Sequence, residues 1–224
     1  MRRNPVELSF VALLVALGAF LVVSPLLSEG GWWRLPSALL FVAVIGASLR
    51  VVGKAGRQVI VPGAIGLASL GLELAAEMGG AHSLSIASHA FFGAYLGYVV
   101  ISLLRGILRV QRVTGDAIAG GVCVYVLIGM MWAAVFTALE LFHPGSFVRG
   151  GAQLVPEARG LYIELLYFAY VTVATVGYGD IVGVTPFARM VAVVASLSGQ
   201  LYLAVFVAGL VGLLAAQGRA ARDG

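Results

Sequence analysis

Among the residues of this chain, Thr175-Val176-Gly177-Tyr178-Gly179-Asp180 are the ones whose types and spacing could do chemistry. In an ordinary strand successive carbonyls face opposite ways, whereas alternating right- and left-handed backbone turns them all to one side. Left-handed positions favour glycine, and Gly177 and Gly179 stand at alternate positions. Thr175 to Gly179 can therefore present a row of carbonyl oxygens, with the Thr175 hydroxyl, that replaces the water shell of a cation. A single row cannot enclose an ion, so this chemistry calls for four copies of the chain around an axis.

The elements that must hold such a row lie in a membrane. The chain is 61% hydrophobic and 11% charged, against roughly 45–50% and about 25% in soluble domains, which excludes an ordinary water-soluble fold. Apolar stretches run at about 8–27, 35–52, 59–78, 84–108, 117–142, 161–174 and 187–216. Crossing a bilayer takes about 20 residues, so all but 161–174 can span, and that short stretch is a re-entrant helix. The glycine-bearing segment after it is then non-helical backbone at membrane depth, tolerated only when buried in protein or lining a water-filled path. A path is implied. The predicted fold class is an all-α membrane protein, six transmembrane helices plus a re-entrant helix and filter segment, assembled as a homotetramer.

Basic residues orient it. With the N-terminus inside, six spans place Arg2, Arg3, Arg50, Lys54, Arg57, Arg105, Arg109, Arg112, Arg219 and Arg222 inside, leaving Arg34, Arg149, Arg159 and Arg189 outside. Cytoplasmic loops carry such an excess, so a multi-pass protein of the cell membrane with both termini cytoplasmic is expected. The apolar run after Arg2 and Arg3 reads as a retained first span, being longer than a signal-peptide core. The tail beyond Gln217 is short, so a ligand-sensing ring would be a separate regulatory subunit. Cys123 is alone and supports neither a disulfide framework nor a thiolate metal site. No nucleic-acid partner is expected.

From Tyr162 to about Gln217 the chain resembles the pore region of tetrameric potassium channels, in particular the prokaryotic ion-channel pore family. TVATVGYGD and the following IVGVTPFARMVAVVASLSGQLYLAVFVAGLVGLL carry the likeness. TVGYG is the known potassium-filter pentapeptide, so potassium as the ion comes with the resemblance. Together with the apolar stretches it divides the chain into a four-helix N-terminal region over 1–114 and a pore domain over 115–224, with outer helix about 117–142, pore helix 161–174, filter 175–179 and inner helix 187–216. It further implies potassium bound at Thr175, Val176, Gly177, Tyr178 and Gly179, filter support from Thr172, Tyr167 and Asp180, and an inner-helix hinge at Gly199, which a packing glycine would explain as well. There is no enzymatic activity and no cofactor beyond the permeant ion. Ala174, Gly183 and Val171 depart from the family pattern: Ala174 replaces a second threonine, Gly183 a proline that would stiffen the outer turn, and Val171 lacks a carboxylate for Asp180, leaving Tyr167 as its partner.

The resulting expectation is a passive potassium-selective channel without steep voltage gating; a cation-coupled transporter and a non-conducting regulatory subunit are the rivals. Arg105, Arg109 and Arg112 sit at one end of their span and anchor it inside, since a voltage sensor needs arginines through the membrane depth. Glu73 and His89 lie at comparable depths and form either a pH-sensitive pair or a static polar contact. Glu77, Glu140 and Glu157 are expected at solvated outer positions or as a cation-concentrating rim. Glu164 falls in the first turn of its helix, at the positive end of the dipole. His82 and His143 read as loop residues. Gly93 with Gly97, and Ala204, Ala208 with Gly212, mark close helix contacts, and Trp32, Trp33 and Trp132 are interfacial or packing residues.

Overall fold

The computed structural model describes residues 7–28, 42, 46, 57–79, 82–107, 114–154 and 158–220. Its elements are α1 (Glu7–Ser28), α2 (Arg57–Gly79), α3 (His82–Ile107), α4 (Gly115–Phe142), β1 (Phe147–Arg149), β2 (Ala152–Gln153), α5 (Ala158–Val173), β3 (Ile181–Gly183) and α6 (Pro186–Ala220). The protein is a mainly helical membrane protein, as the composition demands. Among the described residues, α3, α4 and the Pro186–Leu213 part of α6 are long and apolar enough to cross a bilayer. The apolar cores of α1 and α2, Phe10–Ser24 and Pro62–Ala76, are shorter, and the expected span at 35–52 falls almost wholly outside the described residues, so six crossings are not counted here.

Helix α4 is the hub, packing against α1, α3, α5 and α6. Its start is well specified: the Thr114 hydroxyl accepts from the Ala117 N–H at 3.2 Å, and Asp116 lies in the first turn, where the helix dipole favours an anion. Two glycines let neighbours press in. A Cβ on Gly121 would collide with the Phe206 ring of α6, and one on Gly129 with the Tyr170 ring of α5. The tyrosines of those helices then reach the α4 backbone: Tyr202 donates to the Gly121 carbonyl at 2.6 Å and Tyr170 to the Val126 carbonyl at 2.7 Å. Trp132 donates its indole N–H to Ser198 Oγ at 2.8 Å, a packing role. Lipid offers little hydrophobic drive between helices, so close approach and such bonds do the holding. Gly93 and Gly97 on α3 face Ala134 and Met131 less tightly, with room for a Cβ at ordinary contact, 3.6 and 3.5 Å. Gly212 has nothing within 4 Å in the chain.

After α4 the chain turns at Gly145 (φ 84°) and forms a small sheet of order β2-β1-β3, which helix-period reading did not anticipate. β1 and β2 close on Gly150 and Gly151, both with positive φ (56° and 86°), the requirement of a tight two-residue hairpin. β1 also pairs antiparallel with β3, setting Phe147 opposite Gly183 and Arg149 opposite Ile181. Phe147 is fully buried and meets Phe136 of α4 and Phe168 of α5, ring centroids 5.4 and 5.3 Å away, with Phe136 and Phe168 at 5.1 Å. This triad seats the hairpin between outer and re-entrant helices.

Two acidic residues depart from expectation. Glu140 is only 4% exposed, and its carboxylate accepts the Gly145 N–H at 2.6 Å and the Phe147 N–H at 2.8 Å, so it ties down the loop instead of facing solvent or ions. Glu164 is not in the first turn, because α5 begins at Ala158; it pairs instead with Arg149. His82 is helical, its Nε2 2.7 Å from the Leu141 carbonyl. Glu140→Ala leaves two loop N–H groups without their acceptor and should cost about 2–3 kcal/mol; denaturant unfolding in detergent micelles measures it, and Glu140→Gln should lose less.

Candidate functional site

The site is built where α5 ends. Ala174 continues the helical pattern with its N–H on the Tyr170 carbonyl at 2.9 Å, and Thr175 N–H closes on Thr172 O at 3.0 Å. The Val171 carbonyl then receives both the Val176 N–H (2.9 Å) and the Gly177 N–H (3.3 Å). The last helical carbonyls, which would otherwise lack partners, thus hold the segment that follows. Within it φ is positive at Thr175 (56°), Gly177 (61°) and Gly179 (78°), every second residue. That is the alternation that turns carbonyls to one side. Thr175 completes the pattern that glycine spacing indicated. A β-branched residue in left-handed backbone costs about 1–3 kcal/mol, so its surroundings must hold it there.

Residues 174–180 are exposed on the single chain and are braced from behind. Tyr167 lies beside Asp180, and its ring stacks on Tyr178 with centroids 6.5 Å apart and planes 9° apart. Thr172 contributes its carbonyl. The hairpin adds a second brace: Gly150 N–H donates to Asp180 O at 3.1 Å and Val184 N–H to Ser146 O at 2.9 Å. Arg149, on the same hairpin, donates from Nη1 to Glu164 Oε1 at 2.7 Å, and its Nη2 also meets Oε2. Gly183 is not loose, because it pairs in β3, accepts from Arg189 Nε at 3.2 Å, and sits so close to Ala188 that a Cβ would come within 3.3 Å.

A sequence profile of the family described as "Ion channel" matches residues 146–216, which run from the hairpin through the braced segment into α6. Potassium channel protein kcv of Paramecium bursaria Chlorella virus 1 is 31% identical over 64 residues, 29% of this chain and 68% of that protein. The chain belongs to the ion-channel family. No solved structure matches it.

In this ion-channel chain the remaining expected site residues are placed as follows. Gly199 packs against the end of α5: a Cβ there would lie 2.5 Å from the Val173 carbonyl oxygen and 2.6 Å from its Cγ1. Glu73 and His89 are neighbours, with Nδ1 to Oε2 at 3.8 Å, but the direct donor to that Glu73 oxygen is the Ser88 hydroxyl. His89 Nδ1 lies 2.9 Å from Ser85 O, and the His89 ring rests 5.8 Å from that of Tyr162 at the start of α5. The N-terminal helices thereby touch the re-entrant helix. Arg105 is exposed in the last turn of α3; Glu157, Arg109, Arg112, Trp32, Trp33 and the Glu77 side chain lie outside the described residues.

Sequence reasoning missed Arg149, Glu164 as its partner, Ser88 and Gln200, whose Nε2 is 3.4 Å from Thr175 Oγ1. Phe147-Val148-Arg149-Gly150-Gly151-Ala152-Gln153, two short strands about a Gly-Gly pair, is a hairpin signal that could have exposed the first two. Because the Arg149–Glu164 pair is half open to solvent, its loss should cost only about 0.5–1 kcal/mol. In the Arg149→Gln channel, amide hydrogen exchange across 146–153 and 180–184 should therefore quicken about two- to fivefold, while exchange in α4 stays unchanged.

Proposed function

We propose that this ion channel is potassium-selective and conducts passively as a homotetramer. The observation that carries the reading is the left-handed alternation at Thr175, Gly177 and Gly179, set directly on the C-terminal carbonyls of α5. In that arrangement Thr175, Val176, Gly177, Tyr178 and Gly179 replace the water around a potassium ion. The partial negative end of the α5 dipole favours a cation waiting beneath them. The name of the viral relative, a potassium channel protein, supports the choice of ion.

Fourfold assembly follows from the same chemistry, because four chains are needed to surround the ion. Helix α6 suits it: Met190, Val193, Val194, Leu197, Leu201 and Val205 are exposed on the single chain and offer an apolar surface to neighbouring copies. The positive-inside bias puts the filter on the outer side of the cell membrane with both termini cytoplasmic. Along α3, Arg105 is the only arginine or lysine and sits in the last turn, which supports a pore without steep voltage dependence. No bond is made or broken, so the protein has no enzymatic step.

Reconstituted liposomes test the whole reading. Potassium should move down its gradient, sodium poorly, with block by barium; coupling to a second ion indicates a transporter, and no flux from a folded tetramer indicates a scaffold. Gly177→Ala puts a Cβ on a left-handed residue at a cost of about 1–2 kcal/mol, and should cut potassium flux about tenfold or more with assembly intact. The Glu73–Ser88–His89 cluster, with the His89 ring 5.8 Å from that of Tyr162, is either a pH-sensitive pair of Glu73 and His89 or a static polar contact. In the first case His89→Gln abolishes the response of the current to external pH; a response equal to that of the wild type makes the cluster a fixed packing contact.

A further inference from the structure

The inner helix meets the filter at one dipeptide. Gly199 lies against the Val173 carbonyl closely enough that no side chain fits, which brings the next residue, Gln200, to the inner end of the ion row. There its Nε2 stands 3.4 Å from Thr175 Oγ1. Gln200 is the only amide side chain between Pro186 and Leu213. Of the nearby hydroxyls, Ser198 donates to Ala195 O at 2.7 Å and Tyr202 to Gly121 O at 2.6 Å. Both Gln200 and Thr175 are exposed on the single chain, on the side left open for other copies.

An amide in the middle of an apolar membrane helix is costly unless it has polar partners. Thr175 needs one as well, since it is the only non-glycine residue with positive φ among those described, and its hydroxyl is one of the ion's ligands in the potassium reading. A hydroxyl has two lone pairs and one proton. By accepting from Gln200 Nε2, Thr175 Oγ1 commits one lone pair to the helix and keeps the other for the ion. The amide oxygen, Oε1, cannot bond Thr175 at the same time as Nε2 without turning over, and as an acceptor it can meet a cation or its water instead.

We propose that Gln200 is a specificity-determining residue at the inner mouth. In the tetramer its four Nε2 groups fix the Thr175 hydroxyls, and its four Oε1 atoms form a ring of neutral oxygens that a partly hydrated cation meets before entering the row. This rests on the potassium-filter reading. The ring is a cation site of its own, suited to a monovalent ion because it carries dipoles and no net charge.

Barium, close to potassium in size but doubly charged, is the probe, applied from the inner side to tetramers in planar bilayers. Q200L removes both the donor and the oxygen ring, and should raise the half-blocking barium concentration about tenfold. Q200E keeps the size and adds four charges, and should lower it about tenfold. Opposite signs are the signature, since a purely structural role would move both variants the same way. Half-block within about twofold of wild type in both variants, or shifts in one direction, overturns the assignment while the wild-type channel still conducts. A folded wild-type tetramer that passes no potassium overturns the channel reading itself. If Q200L fails to assemble, Q200A takes its place, with the same rise in the half-blocking concentration expected.

Discussion

Backbone N–H and C=O groups at membrane depth have no water to bond, and this constraint governs the rest of the structure. Leaving helical geometry after Val173 creates unpaired groups on both sides of the break. The Val171 carbonyl, accepting from Val176 and Gly177, resolves one side of that problem. The N–H groups of Thr175, Val176 and Gly177 are thus bonded to carbonyls of the helix they leave. The positive φ values at Thr175, Gly177 and Gly179 carry the chain away from the helix while its end stays bonded.

Holding that stretch still requires rigid neighbours, which α4 supplies. Its glycines admit the Tyr170 and Phe206 rings, and its backbone receives the tyrosine hydroxyls of α5 and α6. At its C-terminal end Glu140 and the Phe136–Phe147–Phe168 cluster fix the hairpin, and the hairpin in turn holds Asp180 and Ile181 just past residues 175–179. The same helix therefore secures the segment along its length and at its C-terminal end.

Much of this was legible in the sequence for reasons that can be stated. Membrane location and the helices followed from apolar run length, and the site from two glycines spaced by one residue, because both signals are local. Tyr167 as a neighbour of Asp180 came with the family resemblance, in which an aromatic donor is usual at that position. What stayed hidden depended on residues brought together from afar. Glu140 looked like a solvated outer acid because nothing in its own helix reveals that a loop folds back over it. Glu164 looked like a dipole partner because the helix start was placed at Leu161 instead of Ala158, and its true partner Arg149 lies in a hairpin too short to show in hydropathy. Gly199 was readable as a hinge or a packing contact from sequence; the nearness of Val173 supplies the second of these.

The pairing of β1 with β3 joins the stretch just before the re-entrant helix to the stretch just after the ion row. Everything between them, from the Gly150–Gly151 turn through β2 and α5 to Asp180, is thereby a closed loop, pinned at its base like a cord tied at the neck. Helix α6 meets this loop away from the tie, at Val173 and Thr175, so the two ends of residues 173–181 are held by different partners, one by a helix and the other by a strand.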